Sequence, residues 1–249
     1  MNEKKSITFG LHAVESLLLN HPDRIMHLLV LQDRNDKKIQ VIVELAKKAN
    51  VRIEMSPRHH LDKTAANENH QGVIAFCKPN KNLSESDLKK LLNDLNEPPF
   101  LLILDGVQDP HNLGAILRSA DAAGVHAVIT TKDKAVGITP TVSKVASGAA
   151  ETIPFVQVTN LARTLEFLKE RNIWIYGAAG EAQQSIYDAN LKGSVAIVLG
   201  AEGEGLRRLT KESCDILLKI PMHGSVSSLN VSVATGVFLF EVVRQRGKG

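Results

Sequence analysis

The chain has 249 residues, 43% of them hydrophobic, and a formal net charge of +3. That apolar fraction, without any low-complexity stretch, supplies a real core and argues against intrinsic disorder. No apolar run is long enough to span a bilayer, and Cys77 and Cys214 lie far apart without metal-ligand spacing, which argues against a membrane protein, a disulfide scaffold or a zinc module. Lys4 and Lys5 have no apolar run behind them, so no signal peptide is expected, and the reading is a soluble cytoplasmic protein with two buried thiols. Charge is uneven: residues 1–81 hold 13 Lys and Arg against 9 Asp and Glu, whereas residues 82–249 hold 17 against 18. A mildly basic N-terminal third suits an acidic partner such as RNA, but is equally an ordinary solvated surface.

Periodicity places a helix at Leu11–Leu19, a strand at Ile25–Leu31 and a helix at Lys37–Ala49 with its stripe at Ile39, Ile42, Val43 and Ala46. Short strands follow at Val51–Met55 and Gln71–Phe76, completing a small α/β unit over residues 1–77. Residues 78–98 read as a linker, opened by Pro79 and Asn80 and closed by Pro98–Pro99. It holds a short helix signalled by Ser84 and Asp87 as a capping box, with a stripe of Leu88, Leu91, Leu92 and Leu95. From residue 99 to 249 strands and helices alternate. The predicted strands are Phe100–Leu104, Ala127–Thr130, Thr152–Val156, Trp174–Ala178, Val195–Leu199 and Ile216–Ile220. The predicted helices are Leu113–Ala123, Ser143–Gly148, Leu161–Glu170, a short piece near Leu206, and Val231–Gln245. Continuous apolar strands alternating with helices predict a parallel sheet covered on both faces.

Three loops carry chemistry, each after a buried-strand pattern and therefore at the end of the sheet where open α/β folds bind ligands. In DPHNLGAILR, Asn112 sits where a helix N-cap belongs, Gly114 permits close approach, and Arg118 stands one turn beyond it on the same face; Gly124 stops the helix. Alone this is equally a well-capped helix with a solvated Arg. In LGAEGEGLRR, the order of Gly200, Gly203 and Gly205 is not G-x-G-x-x-G and no Lys-Ser/Thr follows, which disfavours a nicotinamide or nucleoside-triphosphate site. Glu202 sits among these glycines as an acceptor of hydrogen bonds, in what is otherwise an ordinary turn. In IPMHGSVSSLNVS, Ser225, Ser227, Ser228 and Asn230 precede the last helix, more polar groups than one cap requires. That helix is apolar nearly all round, as for one buried within a domain or between subunits. His111 and His223 lie in these loops without a paired acid or nucleophile.

Together the loops resemble the signature motifs of the SpoU (TrmH-like) family of the SPOUT superfamily, and within it the bacterial enzymes that methylate a guanosine ribose in 23S ribosomal RNA. The match runs N-x-G-x-x-x-R at Asn112–Arg118, L-G-x-E-x-x-G at Leu199–Gly205 and I-P-M…S-x-S-L-N-V-S at Ile220–Ser232, in order, within residues from about 100 to 245. FGLHAVESLL and HQGV in the N-terminal third are similar to the ribosomal-protein-L30e-like domain of those enzymes. The resemblance implies an α/β fold with a trefoil-knotted SPOUT (Rossmann-like) methyltransferase domain, preceded by a small L30e-like RNA substrate-binding domain. Pattern alone draws an unknotted sheet. It also implies S-adenosyl-L-methionine as cofactor, with contacts at Gly200, Ile220 and Leu229 and neighbours at Leu199, Ala178 and Met222. No metal is implied.

The partners implied are 23S ribosomal RNA, in the peptidyl-transferase region, and a second copy of the chain; DNA, which lacks the 2′-hydroxyl, and membranes are not implied. Arg118 is the activator implied by the family, and a guanidinium suits stabilising an alkoxide or holding a phosphate better than acting as a base. Asn112, Ser228 and Asn230 would orient the ribose and Arg118, and Glu202 would order its loop or accept a hydrogen bond. Two alternatives stand beside this reading: a non-catalytic RNA-binding or ribosome-assembly factor, and the same chemistry on transfer RNA.

Overall fold

A computed structural model describes residues 6–78 and 83–247; Lys4, Lys5, Pro79 and Asn80 lie outside the described residues. The elements, in chain order, begin with β1 (Ser6–Phe9), α1 (Leu11–Asn20), β2 (Ile25–Leu31), α2 (Lys37–Lys48), β3 (Arg52–Ser56), α3 (Arg58–Thr64) and β4 (Val73–Cys77). There follow α4 (Glu85–Asp94), β5 (Phe100–Asp105), α5 (Pro110–Ala122), β6 (Ala127–Thr131), α6 (Pro140–Val145), α7 (Ala149–Thr152), β7 (Phe155–Val158), α8 (Leu161–Lys169) and β8 (Trp174–Ala178). The chain closes with β9 (Gln184–Ser185), β10 (Val195–Gly200), α9 (Arg208–Glu212), β11 (Ile216–Lys219) and α10 (Val231–Gln245).

The chain forms two compact units that are not contiguous in sequence. One is Met1–Lys81 with Ile138–Thr152; the other is Asn82–Gly137 with Ile153–Gly249. This differs from the expected 1–77, 78–98 and 99–249 division in two ways. Residues 138–152 leave the C-terminal half because α7 carries Glu151, whose buried carboxylate pairs with Arg24 at 2.7 Å and accepts from the Thr8 hydroxyl at 3.4 Å. Removing one partner of such a buried pair costs about 3–5 kcal/mol, so the segment is anchored where its charge is satisfied. Nor is the segment before Pro98 a linker. Leu83 bridges Val156, and Leu88 and Leu92 of α4 are buried with Leu101, Ile103, Leu165 and Leu168 in one cluster, so α4 is a core helix of the second unit.

The first unit holds a four-stranded sheet in the order β1-β4-β2-β3, parallel only between β2 and β3. Apolar residues at helical spacing on α1 and α2 bury Val14, Leu17, Ile39 and Ile42 against Leu28, Val30 and Val73. On the other face Leu61 of α3 packs with Phe9, Leu29 and Ile74. The second unit holds a seven-stranded sheet in the order β7-β6-β5-β10-β8-β11-β9, every pair parallel. All residues of β5, β6 and β10 are buried, as strands covered on both faces must be. Since every strand runs the same way, the loops after β5, β8, β10 and β11 emerge at one edge, from neighbouring strands.

Several element boundaries differ from the pattern. The strand expected at Thr152–Val156 begins at Phe155, because Thr152 ends α7 and Pro154 intervenes. Helix α5 begins at Pro110 rather than Leu113, and α6 covers Pro140–Val145 rather than Ser143–Gly148. Gly124, with φ of +71°, stops α5 as expected. Cys77 is buried, while Cys214 is only partly so; burial pushes their thiol pKa values up to about 11 and about 12. No helix among the described residues is long and apolar enough to cross a membrane.

Candidate active site

Asp109, not Asn112, caps α5: its side chain accepts from the amide of His111 at 2.9 Å, and Pro110 takes the first helical position. Asn112 is thereby released from capping and sits within the first turn, 8% exposed. Its Nδ2 donates to Glu202 Oε2 at 3.0 Å and its Oδ1 accepts from Asn230 Nδ2 at 3.0 Å. The same Asn230 nitrogen donates to Glu202 Oε1 at 3.4 Å. Asn230 is the N-cap of α10, its Oδ1 accepting from the amide of Ser232 at 2.9 Å and from the Ser232 hydroxyl at 2.6 Å. One side chain therefore caps a helix with its oxygen and serves the cluster with its nitrogen. Every amide orientation in the Asn112–Glu202–Asn230 set is fixed by a partner, and each Glu202 oxygen keeps a further lone pair for another donor.

Local backbone explains where Glu202 stands. A bridge pairs Ala201 with Gly205, and the Gly205 amide donates to the Ala201 carbonyl at 2.9 Å, closing a tight turn with Glu202 near its tip. The turn folds back directly over Gly200, where a Cβ would collide with the Gly205 carbonyl. Glycine is demanded there by space alone, because backbone cannot give way as a flexible side chain can.

Beside this cluster opens a cleft of about 730 Å³, within the range of small-molecule sites. Its lining includes Ala178, Leu199, Gly200, Ile220, Met222 and Leu229, and from the polar groups Glu202, Ser228 and Asn230. The loops after β8, β10 and β11 thus wall one hollow, and the loop after β5 reaches its edge through Asn112. The backbone of residues 221–229 makes no hydrogen bond to other described backbone, so its donors and acceptors are not committed to secondary structure.

The structure does not bring all expected residues together. Arg118 is exposed on α5, outside the lining of the cleft, with no hydrogen bond or ion pair to any described residue. It has no part in the Asn112–Glu202–Asn230 hydrogen bonds. His111 and His223 are exposed and take no part in the cluster. The loop motifs pass over Asp105, at the end of β5, which is 1% exposed and accepts from the amide of Arg207 at 3.0 Å. An acid closing an otherwise apolar strand is the signal that points to it.

A parallel sheet whose cleft is walled by loops rather than by a glycine-rich phosphate turn is a particular kind of α/β fold, and a solved structure shows which one. The SpoU methyltransferase AviRb from Streptomyces viridochromogenes, crystallised in complex with the cofactor AdoMet, matches with a TM-score of 0.82 over 98% of this chain and 92% of that one, at 23% identity. The fold is thus that of a SpoU methyltransferase. The model of the SpoU rRNA Methylase family matches residues 99–240, and that of the RNA 2'-O ribose methyltransferase substrate binding domain matches residues 7–83. The chain is 57% identical to the 23S rRNA (guanosine-2'-O-)-methyltransferase RlmB of Shewanella oneidensis, over 98% of this chain and 99% of the relative. It is 54% identical to the protein of that name from Escherichia coli K12, over 96% and 98%. The chain belongs to the SpoU rRNA Methylase family.

Proposed function

We propose that this protein transfers the methyl group of S-adenosylmethionine to the 2′-hydroxyl of a guanosine ribose in 23S ribosomal RNA. The observation that carries the reading is the hydrogen-bonded meeting of Asn112, Glu202 and Asn230, from three separate loops, at the side of the cleft. Identity above half to named guanosine-2'-O-methyltransferases over nearly the whole chain supports the substrate. The donor supplies a sulfonium-activated methyl group. The cleft fits such a group: its volume suits a nucleoside with an amino-acid arm, Leu199, Ile220, Met222 and Leu229 offer apolar contact, and the uncommitted backbone of residues 221–229 offers hydrogen bonds to an adenine edge.

The residues of the chain then address the harder reactant, a hydroxyl that must lose its proton as it attacks in line. Glu202, held from both sides by amides, accepts a hydrogen bond from the ribose through a remaining lone pair. Ser228 and Asn112 fix the approach of the ribose. Arg118 stabilises the developing alkoxide or grips the neighbouring phosphate, and for this it must come from a second subunit. A homodimer is supported by α10, where Val233 and Phe240 are 53% and 49% exposed on one helical face with the half-buried Val237 between them. The proposal extends to a trefoil-knotted path in the second unit; β10 inserts between the earlier strands β5 and β8, as a re-entrant chain requires. It also makes the first unit an L30e-like RNA-binding domain, in line with the substrate-binding match over residues 7–83.

Purified protein given labelled donor and 23S RNA lacking modifications is expected to yield labelled 2′-O-methylguanosine on nuclease digestion, and none with transfer RNA. Label in transfer RNA alone would favour the other substrate. Donor that fails to bind in calorimetry, with RNA bound, would favour an assembly factor.

A further inference from the structure

We infer that Asp105 is the positioning residue that aims Glu202, by holding the returning end of the loop that carries it. The inference rests on the proposed role of Glu202 in methyl transfer. The loop leaves the sheet at Gly200, whose partner across the parallel ladder is Asp105. It returns at Arg207, whose amide donates to Asp105 Oδ2 at 3.0 Å. Asp105 thus stands beside one end of the loop in the ladder and holds the other through its side chain. The carboxylate is 1% exposed, and its second oxygen lies 3.3 Å from Arg207 Nη1, an ion pair without a directed hydrogen bond.

The surroundings are built for this pairing. Gly106, with φ of +88°, follows Asp105, and a Cβ there would lie 2.9 Å from Arg207 Nη2. The guanidinium therefore lies against bare backbone, in space that a side chain would take. Between its two ends the loop has the Gly205-to-Ala201 hydrogen bond as its internal tie, and Glu202 reaches Asn112 and Asn230 from this frame. A buried carboxylate is expensive to keep unless its partners are fixed. Here the fixed partner is the foot of the loop, so the same bond that satisfies the acid sets the loop. Losing it leaves Glu202 on a turn tethered at one end, and a displacement of the order of 1 Å at a reacting centre costs about 100-fold in rate.

Asp105→Ala, Asp105→Asn and Arg207→Ala are to be compared with the unaltered protein, and Asp105→Ala also within a Glu202→Ala background. Asp105→Ala is expected to lower kcat about 100-fold with KM for RNA nearly unchanged, and to speed hydrogen exchange at the Gly205 amide. Asp105→Asn, which still accepts from the Arg207 amide, should restore most of the rate and the protection. Arg207→Ala keeps that amide but takes away the charge beside the buried carboxylate, so it should lower the rate by less than Asp105→Ala. In the Glu202→Ala background, Asp105→Ala should add no further loss, as expected of two residues acting through one another. Full additivity, unchanged exchange at Gly205 in Asp105→Ala, or equal damage from Arg207→Ala would overturn the inference. If Asp105→Ala does not fold, Asp105→Asn decides: exchange at the Gly205 amide as slow as in the unaltered protein is expected, and fast exchange there would overturn the inference. If the unaltered protein transfers no methyl group, the functional reading fails, while exchange at Gly205 still decides whether Asp105 holds the loop.

Discussion

Arg118→Ala is expected to lower methyl transfer by about 10² to 10³-fold, the usual loss when a group that meets developing charge is removed. Donor binding, measured by calorimetry, should be nearly unaltered, because Arg118 lies outside the lining of the cleft. Among the described residues no acid pairs with this exposed cation and no backbone carbonyl receives it, so no polar contact of the chain itself is lost with it. Its helix, α5, packs against α10, the helix with the uncovered apolar face. If Arg118 acts across that interface, mixing subunits gives a sharp outcome. Arg118→Ala and Glu202→Ala proteins, each inactive alone, should recover about a quarter of full activity when co-expressed, since half the dimers are mixed and each mixed dimer rebuilds one complete site. No recovery, with mixed dimers demonstrably formed, would place Arg118 in the same subunit as the Glu202 it serves.

The second large effect is expected from Phe240→Asp. Phe240 and Val233 lie two turns apart along one face of α10, and both remain about half exposed. Apolar surface of this kind, on a helix whose opposite face is buried, is what the proposed dimer would cover. On α10 the one cation a turn away from position 240 is Arg244, which is already paired to Glu241 at 2.7 Å. Burying the new charge is therefore uncompensated. Sedimentation equilibrium should find a dimer for the unaltered chain and a monomer for Phe240→Asp, with methyl transfer lost and donor binding weakened less than transfer. A Phe240→Asp protein that stays dimeric and active would remove α10 from the assembly.

Much of this fold is legible because its strands are parallel and buried on both faces: Phe100–Leu104 and Val195–Val198 read as continuous apolar runs and are central strands. Other elements leave weaker traces. Helix α3 buries only Leu61, too little for a periodic signal, and β9 is two residues long. Pattern gives Asn112 the cap of α5 because capping propensity ranks Asn and Asp together; Pro110, suited to the first helical position, decides for Asp109. The two-unit division is hidden for a different reason. Glu151 belongs with Arg24, 127 residues earlier, and no local pattern encodes such a pairing. At the candidate site, the residue types in the three loops mark where polar chemistry collects. Their mutual hydrogen bonds, and the hold of Asp105 on Arg207, depend on strand order, which puts β10 beside β5 although the two lie far apart in the chain.

The central claim is that the converging loops make a site for methylating a ribose in 23S ribosomal RNA. Cells with and without this gene should therefore be compared by mapping 2′-O-methyl groups along their 23S RNA, where each methylated ribose resists alkaline cleavage of the following phosphodiester. One guanosine is expected to lose its protection when the gene is absent and to regain it with the unaltered gene but not with an Arg118→Ala copy. Identical maps in both strains would contradict the account.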